Sequence, residues 1–358
     1  MKFKLSDKTV FAWHKWLGLF VGIFTLFLSI TGTLLLFTDE IDAAFAPATV
    51  KVQPGQNRLP LDTMLAVLQR TYPQALLRET RLNSIHSDQA IVTELSLNNE
   101  TQWVYWDPYT NQITGARKTV FMKEVLEWHE ELTVGEFGHL FLFFVGLALL
   151  GSVVTGLWYY RKSLLKVFKI GVRTRNTYLF NADLHKLLGV SSCLFLLLMG
   201  GTGTFFHWEK IERMMGEEGE APRLPEVTAV IAPPPLSQVT YSLDRLTDAA
   251  SKHIAGFTPE VILYPQTDES IVIEGNRPES VRLLGKFNSS AVLDTKTSEL
   301  KEIKHREDGD LEQTMERSFE QLHYGQYGGF WSKIIYALGG LCLATLSITG
   351  FVIWLKKK

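Results

Sequence analysis

Cysteine is nearly absent: the chain has two, Cys193 and Cys342, and both fall inside long apolar runs. So placed, they read as small buried hydrophobes. Neither a disulfide framework nor a cysteine metal site is available, and without a C-x-x-C-H stretch covalent c-type haem attachment is excluded. Charge has no dominant sign. The net charge is −2, no basic stripe or nucleic-acid motif is present, and nucleic acid is not an expected partner. In some stretches charge is missing altogether. Trp16–Phe37 runs 22 residues without a charged side chain, enough to cross a bilayer as one helix. Leu140–Tyr160, Ile334–Leu355 and the stretch ending at Trp208 are similarly apolar, so four spans are expected. The first follows MKFKLSDK and precedes Ala44-Phe45-Ala46, which resembles a secretory signal with its cleavage site. The apolar run is too long for a signal core, and it is read as a retained anchor.

What the chain has instead is a repeat. His14–Phe37, HKWLGLFVGIFTLFLSITGTLLLF, recurs 171 residues later as His185–Trp208, HKLLGVSSCLFLLLMGGTGTFFHW, with nine of 24 positions identical. A shared His-Lys start and Thr-Gly-Thr end at one offset point to an internal duplication. A second set of matches lies 194 residues apart: His129 with His323, Gly146 with Gly340, and Thr155-Gly156 with Thr349-Gly350. The unit is span, external module, histidine-bearing re-entry, span, used twice. Two copies of an even-span unit share one orientation and are related by a pseudo-twofold axis along the membrane normal.

The expected fold is an integral membrane, mainly α protein, a four-span transmembrane helix bundle from a tandem duplication with two α+β modules outside. Its order is a cytoplasmic tail and first span (1–38), a module (39–127), a re-entry element and second span (128–162) and a basic cytoplasmic loop (163–183). A third span (184–208), a second module (209–318) and a re-entry element with the fourth span (319–358) follow. Lys and Arg set the orientation. Lys2, Lys4, Lys8 and Lys15 precede the first span. Arg161, Lys162, Lys166, Lys169, Arg173, Arg175 and Lys186 sit between the second and third, and the chain ends in three lysines. Both termini are therefore expected in the cytoplasm. In the first module Leu61–Tyr72 reads as a helix, Ile91–Leu97 and Thr101–Trp106 as strands, and Asp107–Asn111 as a turn into a strand ending at Gly115. The second opens on a Pro-rich linker, Pro222–Pro235. A helix near Leu243–His253, strands at Val261–Tyr264, Ser270–Glu274 and Ser290–Leu293, and a turn at Asp294–Thr297 come next.

Function rests on the histidines. His86, His253 and His305 lie in polar external segments and read as surface residues. His14 and His185 are the repeated pair at the cytoplasmic ends of their spans, where a twofold axis brings them face to face. Ionisable groups at membrane depth usually have a function. Two neutral imidazoles suit haem iron as axial ligands in a four-helix bundle, whereas zinc would want Cys, Asp or Glu partners that the spans lack. Gly18, Gly22, Gly32, Gly189, Gly200, Gly201 and Gly203 permit a flat ring to approach, or equally serve ordinary helix packing. On the outer side two alternatives stand. The repeat favours His129 with His323, which reach the membrane only if the glycines after them bend the chain. Depth favours His139 with His207, the latter 22 residues beyond His185 and, on one straight helix, on the same face at about 33 Å of rise. The reading follows the repeat.

HKWLG…TGT, LHKLLG…TGT, WHEELTVGEFG at Trp128–Gly138 and LHYGQYGG at Leu322–Gly329 resemble the PepSY-associated transmembrane-helix family, over essentially the whole chain. Within it they are similar to the siderophore-reductase (FoxB/PiuB-like) iron-uptake branch. The resemblance implies PepSY-like periplasmic modules on a four-span inner-membrane fold, two b-type haems, and reduction of ferric siderophore. Carried over by motif, the haem-iron ligands are His14, His129, His185 and His323. No catalytic residue beyond them is implied. The expected function is an inner-membrane dihaem electron-transfer protein that reduces Fe(III) to Fe(II) in the periplasm, with a cytoplasmic or quinol electron donor. The competing expectation is a non-redox, membrane-anchored PepSY binding or inhibitory module. A permease is disfavoured, because the spans carry no carboxylate.

Overall fold

The computed structural model describes residues 6–84, 86–118, 121–215, 234–264, 269–278 and 287–356. It divides into two compact units, one from 1–38, 123–219 and 322–358, the other from 39–122 and 220–321. Most of the Pro-rich linker lies outside the described residues. The helices are α1 (Asp7–Leu35), α2 (Thr38–Phe45), α3 (Pro47–Val50), α4 (Leu61–Thr71), α5 (Phe121–Glu131), α6 (Glu136–Tyr160), α7 (Val167–Ile170), α8 (Thr177–Ser191), α9 (Cys193–Met214), α10 (Leu243–His253), α11 (Leu311–Tyr324) and α12 (Gly329–Lys356). The strands are β1 (Leu76–Arg81), β2 (Ile91–Leu97), β3 (Glu100–Asp107), β4 (Gln112–Arg117), β5 (Thr258–Leu263), β6 (Ser270–Asn276), β7 (Ser289–Asp294) and β8 (Leu300–His305).

The helical unit turns large apolar side chains outward and buries small hydroxyl residues beside an apolar cluster of Val21, Leu142 and Val145. α1 exposes Trp13, Trp16, Phe20, Ile23, Phe27, Ile30 and Leu34 at spacings of three and four, and buries Thr25, Ser29 and Thr31. α6 turns Phe137, Leu140, Phe144, Leu147, Val154 and Trp158 outward and Ser152 inward, and α12 buries Ser332, Ser347 and Thr349. In water each such exposed side chain would forgo roughly 1.5–3 kcal/mol of burial. Against lipid it forgoes nothing, and the small hydroxyl residues bring the helices together. Thr25 Oγ1 and Ser347 Oγ, for example, hydrogen-bond across α1 and α12 at 3.0 Å. The chain is a membrane protein. α1, α6 and α12 are each long and apolar enough to cross a bilayer, and α8 with α9 meets the same test only as a pair bent by 67°.

That bend corrects the straight third span. Ser191 and Ser192 occupy the positions that Phe20 and Val21 hold in the unbroken α1. Ser192 sends both its backbone N–H (2.9 Å) and its hydroxyl (2.6 Å) to the carbonyl of Leu188. Serine hydroxyls that back-bond to the preceding turn bend helices. α8 then packs on α12, while α9 packs on α6. His185 and His207 therefore do not lie on one face of a straight helix.

The re-entry elements reverse the chain. After α5, Leu132 (φ 52°), Thr133 (φ 62°) and Gly135 (φ 62°) adopt left-handed backbone, and after α11 Gly325 and Gly329 do so (both φ 64°). Such values are rare for Leu and Thr. Gly138 lies against the Glu131 carbonyl and Gly325 against the Tyr336 ring, so close that a side chain at either would collide.

In the other unit 39–122 and 220–321 each supply four strands and one helix to the shared core, α4 and α10. The strands form a single antiparallel sheet, β4-β3-β2-β1-β5-β6-β7-β8. The halves join through β1 and β5, where Thr80 faces Ile262, and Thr80 Oγ1 lies 3.0 Å from both Thr93 Oγ1 and Tyr264 Oη. One core holds Met64, Leu68 and Leu95 from the first segment with Leu243, Leu246 and Ile262 from the second. The helices cap each other. Asp244 accepts from the N–H groups of Leu61 (2.8 Å) and Asp62 (2.9 Å), and Asp62 accepts from Leu243 N–H (2.7 Å) and the Ser242 hydroxyl (2.6 Å). At the β7–β8 turn the backbone N–H of Thr297, then Lys301 and the N–H of Lys296, hold the Asp294 carboxyl down to about 2.

Candidate functional site

One end of the bundle is marked by Arg161, whose guanidinium meets Asp7 at 2.8 Å and ties the end of α6 to the start of α1. There His14 of α1 and His185 of α8 face each other with ring centroids 6.2 Å apart. His14 Nδ1 lies 2.9 Å from the carbonyl oxygen of Ser152. His185 Nδ1 lies 3.1 Å from the carbonyl oxygen of Leu346 and 2.9 Å from Thr349 Oγ1. A carbonyl only accepts, so Nδ1 carries the proton in both rings and the lone pair is on Nε2. Each ring lies against a glycine of the adjoining span. A Cβ at Gly156 would stand 2.9 Å from His14 Cε1, and one at Gly350 would stand 3.5 Å from His185 Cε1. Ser152 and Leu346, like Gly156 and Gly350, correspond at the 194-residue offset. The seat is duplicated along with the ligand.

The opposite end repeats the device with different parts. His129 and His323 have centroids 6.4 Å apart. His129 Nδ1 is 2.9 Å from Thr31 Oγ1 and His323 Nδ1 is 2.7 Å from Thr202 Oγ1. Thr31 spends its own proton on the carbonyl of Phe27 (3.1 Å) and Thr202 on that of Leu198 (2.8 Å). Both hydroxyls therefore accept from the imidazoles, and Nε2 again keeps the lone pair. Gly32 and Gly203 seat these rings: a Cβ at Gly32 would stand 3.0 Å from His129 Cε1, and one at Gly203 would stand 3.4 Å from His323 Cε1. The repeated Thr-Gly-Thr is thus three contacts: an anchor for Nδ1, a bed for the ring, and a second threonine packed on Gly340 (Thr33) or Gly146 (Thr204).

Two imidazoles held trans on one metal by bonds of about 2 Å have centroids roughly 6 to 6.5 Å apart. Both repeated pairs have that separation and that tautomer, so the residues fit axial ligation of a haem iron. The two levels lie about 25 Å apart, judged from His14 to Thr31 along α1 at about 1.5 Å per residue. His139 and His207 are also together, but with centroids 5.5 Å apart and Nδ1 atoms only 3.3 Å apart. That spacing does not suit trans ligation. His86 and His253 are exposed, and His305 Nδ1 meets Ser289 Oγ at 2.9 Å. The seven span glycines divide by contact. Gly32 and Gly203 bed imidazoles, whereas Gly22 meets Phe351 and Gly200 meets Leu150 in helix packing. The residues that the histidine argument missed are the Nδ1 anchors, Ser152, Thr349, Thr31 and Thr202. The signal was present for Thr31 and Thr202, as the first residue of each Thr-Gly-Thr, and for Thr349 in its match with Thr155.

A family model for the PepSY-associated TM region matches residues 11–357, a stretch that contains both histidine pairs and their anchors. No curated protein matches the chain.

Proposed function

The chain belongs to the PepSY-associated TM family, and from that premise we propose that it is a dihaem b-type electron-transfer protein of the bacterial inner membrane that reduces ferric siderophore in the periplasm. The observation that carries the reading is the duplicated seat: two imidazole pairs with centroids at axial-ligand separation, each ring tied through Nδ1. His14 with His185 and His129 with His323 would hold one haem b each. When bound, haem supplies a one-electron centre at either end of the bundle, tuned by its axial ligands, burial and hydrogen bonds. The chain's own residues do the positioning. Ser152, Leu346, Thr31 and Thr202 fix the ring orientation and tautomer, as the outer hydrogen-bond partners of metal-bound histidine do. The glycines set the depth of each ring, and the apolar exterior keeps water from the pairs.

Substrate and direction follow from charge and chemistry. Basic residues gather at the end that holds His14 and His185, which supports a cytoplasmic position for that end and a periplasmic one for His129 and His323. Oxygen-donor chelators hold hard Fe(III) far better than Fe(II), so a single electron loosens the ion for uptake. The electron comes from a quinol or a cytoplasmic donor. The test is a visible spectrum with pyridine haemochrome stoichiometry on the purified chain, where two haems per chain are expected. Absence of a Soret band would overturn the reading in favour of a non-redox PepSY module anchored in the membrane.

A further inference from the structure

The duplication is faithful at both histidine pairs and fails at one place. Glu131, His139 and His207 stand together at the outer end, and their counterparts at the repeat offsets are Gly325, Lys333 and Leu36. Three side chains with metal-binding chemistry on one side are thus replaced together, on the other, by residues with none. His139 Nδ1 and His207 Nδ1 face each other at 3.3 Å. His139 Nε2 lies 3.8 Å from Glu131 Oε2. The His139 side chain keeps 12% of its surface accessible and that of Glu131 keeps 32%, so the cluster can be reached from solvent.

The distances select one coordination mode. Two nitrogens on one ion, with bonds of about 2.0–2.1 Å and a tetrahedral angle, lie roughly 3.3–3.4 Å apart. Cis ligation therefore reproduces the observed spacing. A carboxylate beside His139 Nε2 favours the proton there and leaves the lone pair on Nδ1, aimed at His207. Carboxylate–histidine–metal arrays have this order. We propose that His139 and His207 bind a divalent first-row transition ion in cis through their Nδ1 atoms, with Glu131 accepting from His139 Nε2–H. Among the described residues no three metal-binding side chains converge on a single point, so the remaining coordination positions belong to water or to donors of an incoming chelate. Lys210, Arg213 and Glu136 also surround His139. With Glu131 they make two charges of each sign, so the neighbourhood does not repel a chelate of either sign. The class includes ferrous iron, but the site depends on neither haem nor reduction.

The experiment uses the full chain in detergent, stripped with chelator, then dialysed to equilibrium against zinc ion alone, with zinc and haem both counted per chain. Wild type should hold one zinc that H139A and H207A both lose, and E131Q should bind it about 10–100-fold more weakly. Haem content should stay at the wild-type value in all three. If H139A fails to fold, H207Q carries the same test. Equal zinc binding by wild type and the histidine variants, or no saturable binding at all, would reduce the pair to a hydrogen bond and overturn the proposal. So would loss of a haem in H207A, which would make the pair haem ligands. Zinc bound normally by a chain with no Soret band would support this site while refuting the haem reading.

Discussion

Gly156 and Gly350 are the same residue of the duplicated unit, yet they leave unequal room. A Cβ at Gly156 would stand 2.9 Å from His14 Cε1 and 3.1 Å from Nδ1, whereas at Gly350 the nearest atom is His185 Cε1 at 3.5 Å. The second value is ordinary contact, and the first is an overlap that something must relieve. The His14 ring cannot retreat freely, because Nδ1 is held by the Ser152 carbonyl. Overpacking costs about 1–3 kcal/mol, and losing the hydrogen bond adds about 0.5–1.5 kcal/mol. Helix propensity returns about 1 kcal/mol for Gly to Ala. G156A should therefore be destabilised by roughly 1–3 kcal/mol, while G350A should be neutral or gain up to about 1 kcal/mol. Thermal unfolding in detergent should separate the two variants by several degrees, at about 2–4 °C per kcal/mol for a unit of this size. On the proposed function, G156A should also displace His14 Nε2 and lower occupancy or alter the electron paramagnetic resonance signal of one haem, with G350A unchanged. If both alanines are tolerated alike, or G350A is the damaging one, the glycine seats are not what positions these histidines.

H14A and H185A should each remove the same haem, and the double variant should lose no more than either single, as pyridine haemochrome counts would show; additive losses would mean separate cofactors. In the sheet unit, D62A removes the acceptor of the Leu243 N–H and Ser242 hydroxyl at the start of α10, and D244A the acceptor of the Leu61 and Asp62 N–H groups of α4. Each should cost about 1–2 kcal/mol of stability by thermal circular dichroism of the full chain, and a null effect in both would deny the reciprocal capping. Reporters fused after Lys358 and within Val172–Arg175 should read cytoplasmic and one near Gln56 periplasmic; a periplasmic C-terminus would reverse the proposed orientation.

Long apolar runs, the duplication and both amphipathic helices of the sheet unit were legible in the residues, because each is a periodic signal over many positions. α10 begins and ends where the pattern places it, at Leu243 and His253. β1 was not legible. Its sequence, LLRETR, offers only Leu77 and Thr80 to the buried face, too short an alternation to register although the strand is central. β8 failed for the opposite reason, being a charged edge strand, LKEIKH, with no fully buried residue. The break in the third span turns on two serines in an apolar run, and serine is common enough in membrane helices that only the Leu188 contacts reveal it. The reversal of the chain after α5 was not legible either. Leu132 and Thr133 in left-handed backbone reverse the chain, and neither residue type announces such a turn.

The asymmetry of the two halves bears on which outer pair can hold what. In both copies the histidine of the re-entry helix is bound by the first threonine of Thr-Gly-Thr, so His129 and His323 are tied to α1 and α9 whatever the course of the spans. His207 lies one turn beyond Thr204 on α9, and the corresponding residue just past the end of α1, Leu36, is apolar and buried. The Ser192 bend redirects α9 alone, towards α6, the helix that carries His139. An element that departs from the repeat, the bend, therefore serves the pair that departs from it, His139 with His207. The symmetric pairs need a symmetric occupant at each end, and the asymmetric pair needs something used once. Straightening the third span by restoring Phe and Val at Ser191 and Ser192 should accordingly separate His139 from His207 and abolish zinc binding there. The Thr31 and Thr202 anchors, and with them the haem count, should persist.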